Sequence, residues 1–282
     1  MVSRSSLFDE CRKDLEKSGN PDARFDVLCI FQDMLNDAHP LFRPSETVDV
    51  STELRIRDLI EKRRSGYPLQ YLLGQWEFFG CPVKVGEGVL IPRPDTETLV
   101  EQILDICSDH RLTSPVIADL CSGSGCIAIA LKKHIPGAKV YAAELSGAAL
   151  GYLRQNAAMN DADIEIIQGD VLDERFCQNF RDLDIIVSNP PYLTAEEMKS
   201  LQTEVSYEPE TALYGGADGL DFYRRMTAVW KDSLKPGGWL AYEFGMGQHS
   251  AVKELLENNS FTDIKLRADG GGIIRTAAGR KT

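Results

Sequence analysis

The spacing of apolar positions changes twice along this chain. From residue 1 to about residue 72 they recur every three or four residues, the period of a helix with one buried face. Phe25, Leu28, Phe31, Met34 and Leu35 form one such face, with Pro21 suited to the first turn. Leu54, Ile56, Leu59 and Ile60 form another, behind Ser51 as the expected N-cap. Between Gln75 and Val85 the pattern becomes that of a β-hairpin: Trp76, Phe78 and Phe79, then Gly80-Cys81-Pro82, then Val83 and Val85. Val89-Leu90-Ile91 and Pro92-Arg93-Pro94 follow as an extended segment, because the prolines rule out a helix there. Asp95 or Thr96 is then placed to cap a helix carrying Leu99, Val100, Ile103 and Leu104, with Glu97 in its first turn.

From Val116 onward short apolar runs alternate with helical stretches. Strands are expected at 116–120, 139–143, 164–168, 184–188, 239–244 and near 262–267 and 273–277. Helices are expected at 125–134, 146–159, 219–233 and 248–258, with a short one after the third strand. Such alternation predicts an α/β domain: a mostly parallel sheet with helices on both faces. The expected organisation is a helical domain over 1–72, a hairpin linker over 73–91 and the α/β domain over 92–282. Arg55, Arg57, Lys62, Arg63 and Arg64 cluster on one helix of the first domain. They read as a solvated face, with a docking surface for a macromolecular partner as the alternative.

Composition narrows the function classes. The chain has 282 residues and a net charge of −12. Proteins that grip duplex nucleic acid present basic faces, so this balance disfavours non-specific binding and leaves room for a basic protein partner. No run of about 18 apolar residues is present, so no membrane span is expected. The N-terminus has no apolar stretch of the secretory kind. Seven scattered cysteines never form C-x-x-C, which points to a reducing cytoplasm rather than a disulfide framework. His39, His110, His134 and His249 show no metal-ligand spacing, so no metal is expected.

Two motifs carry chemistry. The first is Asn189-Pro190-Pro191-Tyr192, directly after the apolar run Ile185-Ile186-Val187. Two prolines cannot continue a central strand, so the chain leaves the sheet there on a stiff turn. An amide oxygen, a rigid carbonyl and an aromatic face together suit a planar –NH2 conjugated to a carbonyl or a ring. The second is Asp119-Leu120-Cys121-Ser122-Gly123-Ser124-Gly125, running from a strand into a helix. Such a turn lets a ligand approach backbone at a helix N-terminus, and Glu144 ends the next strand where an acid binds ribose hydroxyls. These features alone leave NAD and S-adenosylmethionine nearly tied. Asp119 breaks the tie, since its carboxylate repels a pyrophosphate and attracts an ammonium and a sulfonium. Asp170, after Gly169, adds an acceptor for an adenine amino group.

Longer segments point to one family. They are Pro68-Leu69-Gln70-Tyr71-Leu72-Leu73-Gly74, Glu77-Phe78, Leu90-Ile91-Pro92-Arg93-Pro94-Asp95-Thr96-Glu97, the Asn-Pro-Pro-Tyr tetrad, Tyr207-Glu208-Pro209 with Ala212-Leu213, Gly215-Gly216 and Asp218-Gly219-Leu220. With these the chain resembles class I S-adenosylmethionine-dependent methyltransferases over essentially its whole length. More narrowly it resembles the PrmC/HemK family, which methylates a glutamine side-chain nitrogen in peptide-chain release factors. The resemblance implies a Rossmann-like, mostly parallel seven-stranded sheet with a small helical domain joined by a β-hairpin. It implies S-adenosyl-L-methionine as cofactor, class 1 release factors as protein substrate, and a cytoplasmic enzyme without stable nucleic-acid or membrane binding. Asp119, Cys121, Ser122, Gly123, Ser124 and Gly125 then lie along the methionine moiety. Glu144 takes the ribose, Asp170 and Val171 border the adenine, and Asn189 reaches both cofactor and substrate. Asn189, Pro190, Pro191 and Tyr192 hold the substrate glutamine, with Asn189, Pro190 and Tyr192 as the catalytic set.

Cys121 stands where many members have glycine, which implies a backbone conformation that tolerates a Cβ. Glu144 stands where Asp is common, which lengthens the ribose contact by one methylene. Asp269-Gly270-Gly271-Gly272 is richer in glycine than the family leads one to expect, and it has no functional reading. Two alternatives share the tetrad: a glutamine methyltransferase of a ribosomal protein and an adenine-N6 methyltransferase of nucleic acid.

Overall fold

The structure is a computed structural model describing residues 1–282. It divides into two compact units, Met1–Gly74 with Gln202–Tyr207, and Gln75–Leu201 with Glu208–Thr282. By contacts, the hairpin residues from Gln75 onward therefore group with the sheet.

The first unit contains β1 (Val2–Ser3), α1 (Arg4–Lys17), α2 (Ala23–Leu35), β2 (Thr47–Val48), α3 (Val50–Arg64) and α4 (Leu69–Leu73). Its core joins Leu7, Phe8, Cys11 and Leu15 of α1 to Val27, Ile30 and Phe31 of α2 and Ile56 and Ile60 of α3. The buried face of α2 thus differs from the expected one. Phe25 is exposed, and Ala23, Val27, Ile30 and Phe31 face the neighbours instead. Phe31 meets Phe8 edge-on with ring centroids 5.4 Å apart, a favoured aromatic geometry. Pro21 precedes α2 rather than opening it. The cap of α3 is Asp49, not Ser51: its carboxylate accepts from the N–H groups of Ser51 and Thr52, both at 3.0 Å.

The basic cluster on α3 is largely neutralised within the unit. Arg57 pairs with Glu10 and Glu53, Lys62 with Asp58, and Arg64 with Glu61. Arg63 departs from the solvated-face expectation. It is buried, paired with buried Asp26 and with Glu204 of the returning segment. A buried guanidinium needs such partners, because stripping its hydration is costly.

The second unit opens with the hairpin β3 (Gln75–Phe78) and β4 (Cys81–Lys84), turned by Phe79 and Gly80, both at positive φ. Then come α5 (Pro94–Asp109), β5 (Val116–Leu120), α6 (Cys126–His134), β6 (Lys139–Glu144), α7 (Gly147–Met159), β7 (Glu165–Gln168), α8 (Glu174–Cys177), β8 (Leu183–Ser188), α9 (Asp221–Trp230), β9 (Leu234–Glu243), α10 (His249–Asn258), β10 (Phe261–Ala268) and β11 (Ile274–Lys281). The seven strands β5–β11 order as β10-β11-β9-β8-β5-β6-β7. Neighbours from β9 to β7 pair in parallel, and β11 alone runs against the rest. From β5 the chain builds outward through β6 and β7, then returns to β8 and builds the other way. This reversal between β5 and β8 is the topological switch point, where open α/β sheets bind ligands.

Three local expectations change. Pro94 itself starts α5 behind Arg93, and neither Asp95 nor Thr96 caps it. The last strand before α10 begins at Leu234, so it absorbs Lys235-Pro236-Gly237-Gly238, with a register shift opposite Leu183 to Ile185. Helix α9 ends at Trp230 and passes into a 3₁₀ turn over Lys231–Ser233. The Asp269 segment is the turn between β10 and β11. There the Asp269 carboxylate accepts from Gly271 and Ile273 N–H and pairs with Arg275.

Candidate active site

At the carboxyl edge of the parallel strands lies a cavity of about 370 Å³. Its floor is the turn after β5, which leaves the strand through Cys121 at φ +59°. The sequence implies a conformation that tolerates a Cβ; the one adopted is left-handed, which a non-glycine residue occupies at some cost in energy. Gly123 and Gly125, at φ +55° and +82°, complete the turn. A Cβ on Gly125 would come within 2.0 Å of Leu153 on α7, so only glycine lets α6 begin there. Buried Asn156 of α7 locks the arrangement. Its amide donates to Ser124 and Lys84 carbonyls and accepts the Lys84 N–H at 2.7 Å, tying turn to hairpin.

Cys121, Ser122, Gly123 and Ser124 line the cavity, together with Glu144, Asp170, Val171, Asn189 and Pro191. Strands β5, β6, β7 and β8 thus deliver to one place residues that lie far apart in sequence. Asp119, Gly125, Pro190 and Tyr192 are not on its wall. Asp119 is the informative case. It sits beneath the turn, fully buried, with Oδ2 accepting the Ala128 N–H at 3.2 Å and Oδ1 without a partner. Its placement corrects the expectation of a carboxylate facing the ligand: it holds the first turn of α6 from below. Burial pushes its pKa up to about 8, against the pull of its hydrogen bonds.

Glu144 ends β6 with both carboxylate oxygens engaged. Oε2 accepts from Gly123 N–H at 2.8 Å and Oε1 from Ser146 N–H at 2.7 Å. Each oxygen keeps one acceptor direction, which suits a vicinal diol. Asp170 Oδ1 accepts from Leu172 N–H at 2.8 Å, and the neighbouring Val171 carbonyl is held by the Trp230 indole at 2.7 Å.

Asn189 follows β8, where the Ser188 hydroxyl bridges to the Leu120 carbonyl across the switch point at 2.6 Å. Its Nδ2 donates to the Thr96 hydroxyl at 3.2 Å, so its Oδ1 is the outward-facing acceptor. Burial raises the Tyr192 phenol to about 12, with Glu243 adding to the effect. It stays protonated and is no general base.

Several cavity residues escaped the sequence reading. Gly88, Val89 and Leu90 line it, as do Thr96, Leu145, Ser146, Phe222, Pro209, Thr211 and Ala212. Glu208 anchors that last stretch by accepting from the Ile91 N–H and pairing with Arg93. The repeated prolines and the segments Pro92–Glu97 and Tyr207–Pro209 were visible; that they meet over one cavity was not. The donor set fits an adenosyl sulfonium ligand: carboxylates at two strand ends, an apolar wall, and a glycine floor where a Cβ at Gly123 would meet nothing within 4 Å. The Cys121 thiol, raised by burial, stays a neutral wall.

Comparison with known proteins gives a consistent result. A family model described as the PrmC N-terminal domain matches residues 6–74, and one described as the methyltransferase small domain matches residues 95–213. The release factor glutamine methyltransferase of Geobacter sulfurreducens is 40% identical over 225 residues, covering 79% of this chain and 77% of that protein. The protein of the same name from Koribacter versatilis is 35% identical, covering 99% of each. Among solved structures, a methyltransferase from Pyrococcus furiosus superposes with a TM-score of 0.53 at 17% identity, covering 83% of this chain and 99% of that one. That last likeness is one of fold.

Proposed function

The chain belongs to the release factor glutamine methyltransferase family, and from that premise we propose how its cavity methylates a glutamine amide. The substrate is the glutamine of the Gly-Gly-Gln motif in class 1 peptide-chain release factors, and the product carries the methyl on the side-chain N5. When bound, S-adenosyl-L-methionine supplies an electrophilic methyl on a sulfonium. Glu144 takes the ribose hydroxyls and Asp170 with Val171 the adenine, while Cys121 to Ser124 line the methionine and Gly125 lets the turn close behind them. Asp119 supports that turn from beneath.

A primary amide nitrogen is a weak nucleophile, because its lone pair is delocalised into the carbonyl. Its two N–H bonds lie in the amide plane. Asn189 Oδ1 and the Pro190 carbonyl accept these hydrogens and turn the face of the nitrogen toward the methyl. As the nitrogen gains positive charge the same acceptors bind it more tightly, which lowers the barrier rather than merely the substrate's free energy. Pro190 and Pro191 keep the acceptors rigid, so no reorganisation is needed at the moment of reaction. Tyr192 follows them as a neutral, largely buried ring. The amide proton leaves after methyl transfer, which needs no base of high pKa in the site.

The observation that carries the reading is the orientation of Asn189, whose nitrogen is occupied by Thr96 and whose oxygen is thereby presented to the cavity. Residues 1–72 act as the docking domain for the protein substrate, since one glutamine offers too little surface for selectivity. Phe42 and Leu54 are exposed on that domain. The test is mass spectrometry of a purified class 1 release factor after incubation with this protein and S-adenosyl-L-methionine. The reading requires the mass gain of one methylene on the Gly-Gly-Gln peptide. Methylation of adenine in added nucleic acid, with the release factor unchanged, would overturn it.

A further inference from the structure

Glu243, the last residue of β9, is a buried acid that the chemistry above leaves unused. Its side chain is 2% exposed and Oε2 has no hydrogen-bond partner. The pairing of Ser188 with Tyr242 puts Glu243 level with Asn189 on the adjacent strand. Thr96 of α5 and Asn189 both face its carboxylate, as do Asp95 of α5, Arg275 of β11 and Tyr192 at longer range. Tyr223 fixes the same residue from behind, donating to its carbonyl at 2.8 Å.

We propose that Thr96 and Glu243 are positioning residues that hold the Asn189 amide in one of its two flip states. The inference rests on the glutamine methyltransferase reading of the site. Asn189 Nδ2 donates to the Thr96 hydroxyl, and the Thr96 hydroxyl and the Asn189 amide both hydrogen-bond the Glu243 carboxylate in its ionised form. An ionised carboxylate only accepts, so the chain of donors runs one way, from Asn189 toward Glu243. Flipping the amide would point Oδ1 at Thr96 and draw the hydroxyl away from Glu243. A buried carboxylate would then lose a donor it cannot replace from water. The flipped amide would also present an N–H to the substrate's own NH2, setting donor against donor. Thr96 and Glu243 are both buried, which gives this relay its force, since no solvent competes for the hydroxyl. Burial raises Glu243 to about 7, so the direction of the relay weakens as the acid takes up a proton.

The test compares Thr96→Val, which keeps the shape and removes the hydroxyl, with Thr96→Ser, which restores it. On a release factor substrate, Val is expected to lower kcat about 10- to 100-fold, the range for losing one hydrogen bond to a charged group. Cofactor affinity should stay within about threefold, and Ser should recover most of the lost turnover. The wild-type pH–rate profile should show an acid limb that disappears in Thr96→Val. Independently of any substrate, the Asn189 side-chain NH2 resonances, assigned with Asn189→Ala, should exchange slowly in the wild type and lose protection in Thr96→Val. An unimpaired Val variant, or one that Ser fails to rescue, overturns the relay. So do NH2 resonances indifferent to Thr96. Wild-type protein inactive on release factors would instead count against the substrate, and the NH2 exchange would still decide the relay.

Discussion

Glutamine at position 144 is the sharpest test of how the cavity holds its cofactor. The Glu144 carboxylate accepts two backbone N–H groups, one per oxygen, from Gly123 at 2.8 Å and Ser146 at 2.7 Å. Glu144→Gln is nearly isosteric, yet an amide has one accepting atom and one donating atom. Whichever way it turns, its NH2 faces a backbone donor and one bond is replaced by a repulsion. A hydrogen bond to a charged group contributes about 1.5–3 kcal/mol, and the loss falls on the glycine turn that forms the cavity floor. Because a tenfold change in affinity corresponds to about 1.4 kcal/mol, cofactor binding should weaken about 10- to 150-fold. The product analogue S-adenosyl-L-homocysteine, titrated by calorimetry, reads this directly. Glu144→Asp keeps two acceptors on a shorter stem and should lose less than Gln. Binding by the Gln variant within about twofold of the wild type would show that the carboxylate's double acceptance does not shape the site.

Three further outcomes follow from the geometry. Asn189→Ala should cut kcat by roughly 10²–10³, the cost of one preorganised polar contact, with a smaller change in cofactor affinity, both read by steady-state kinetics and calorimetry. Gly215→Ala places a Cβ 2.6 Å from the Pro191 carbonyl oxygen and 2.6 Å from Tyr192 Cα, backbone that cannot yield. Turnover should fall about 10²-fold through displacement of the tetrad, and wild-type turnover would refute the rigid-corner argument. Asp119 and Glu243 hold protons to about 8 and about 7 in the fold, against ordinary values of 3.8 and 4.5. The folded protein then binds more protons than the unfolded chain in that window, so thermal stability should decline as pH rises from about 4.5 toward 8. Melting temperature against pH should be flatter in Glu243→Gln than in the wild type, and a steeper dependence in the variant would contradict the assignment.

Much of the core of this protein was legible because burial imposes a period. The runs at 116–120 and 184–188 are strands buried on both faces, and the structure places β5 and β8 there. The paired prolines after Ser188 had to end a strand, as they do. Faces were read less well than elements. Phe25 and Leu54 carry the right period yet are exposed, because what a helix buries depends on which neighbours meet it. Caps failed in the same way. Ser51 and Thr96 have suitable side chains, but Asp49 reaches two N–H groups of α3, and Thr96 is drawn to Asn189 instead.

The sequence alone determined the chemistry on offer: an amide beside a rigid prolyl corner, a glycine turn, and acids at successive strand ends. Those are properties of residue type and short spacing, and they survive without coordinates. The tertiary structure decided which of these groups face one another. It hid Asp119 beneath the turn, put Cys121 in a left-handed conformation, and brought Thr96 and Glu243, 93 and 54 positions away in the chain, against Asn189. The reason is that a parallel sheet sets neighbours by strand order, and strand order follows from packing across the whole domain rather than from any local run.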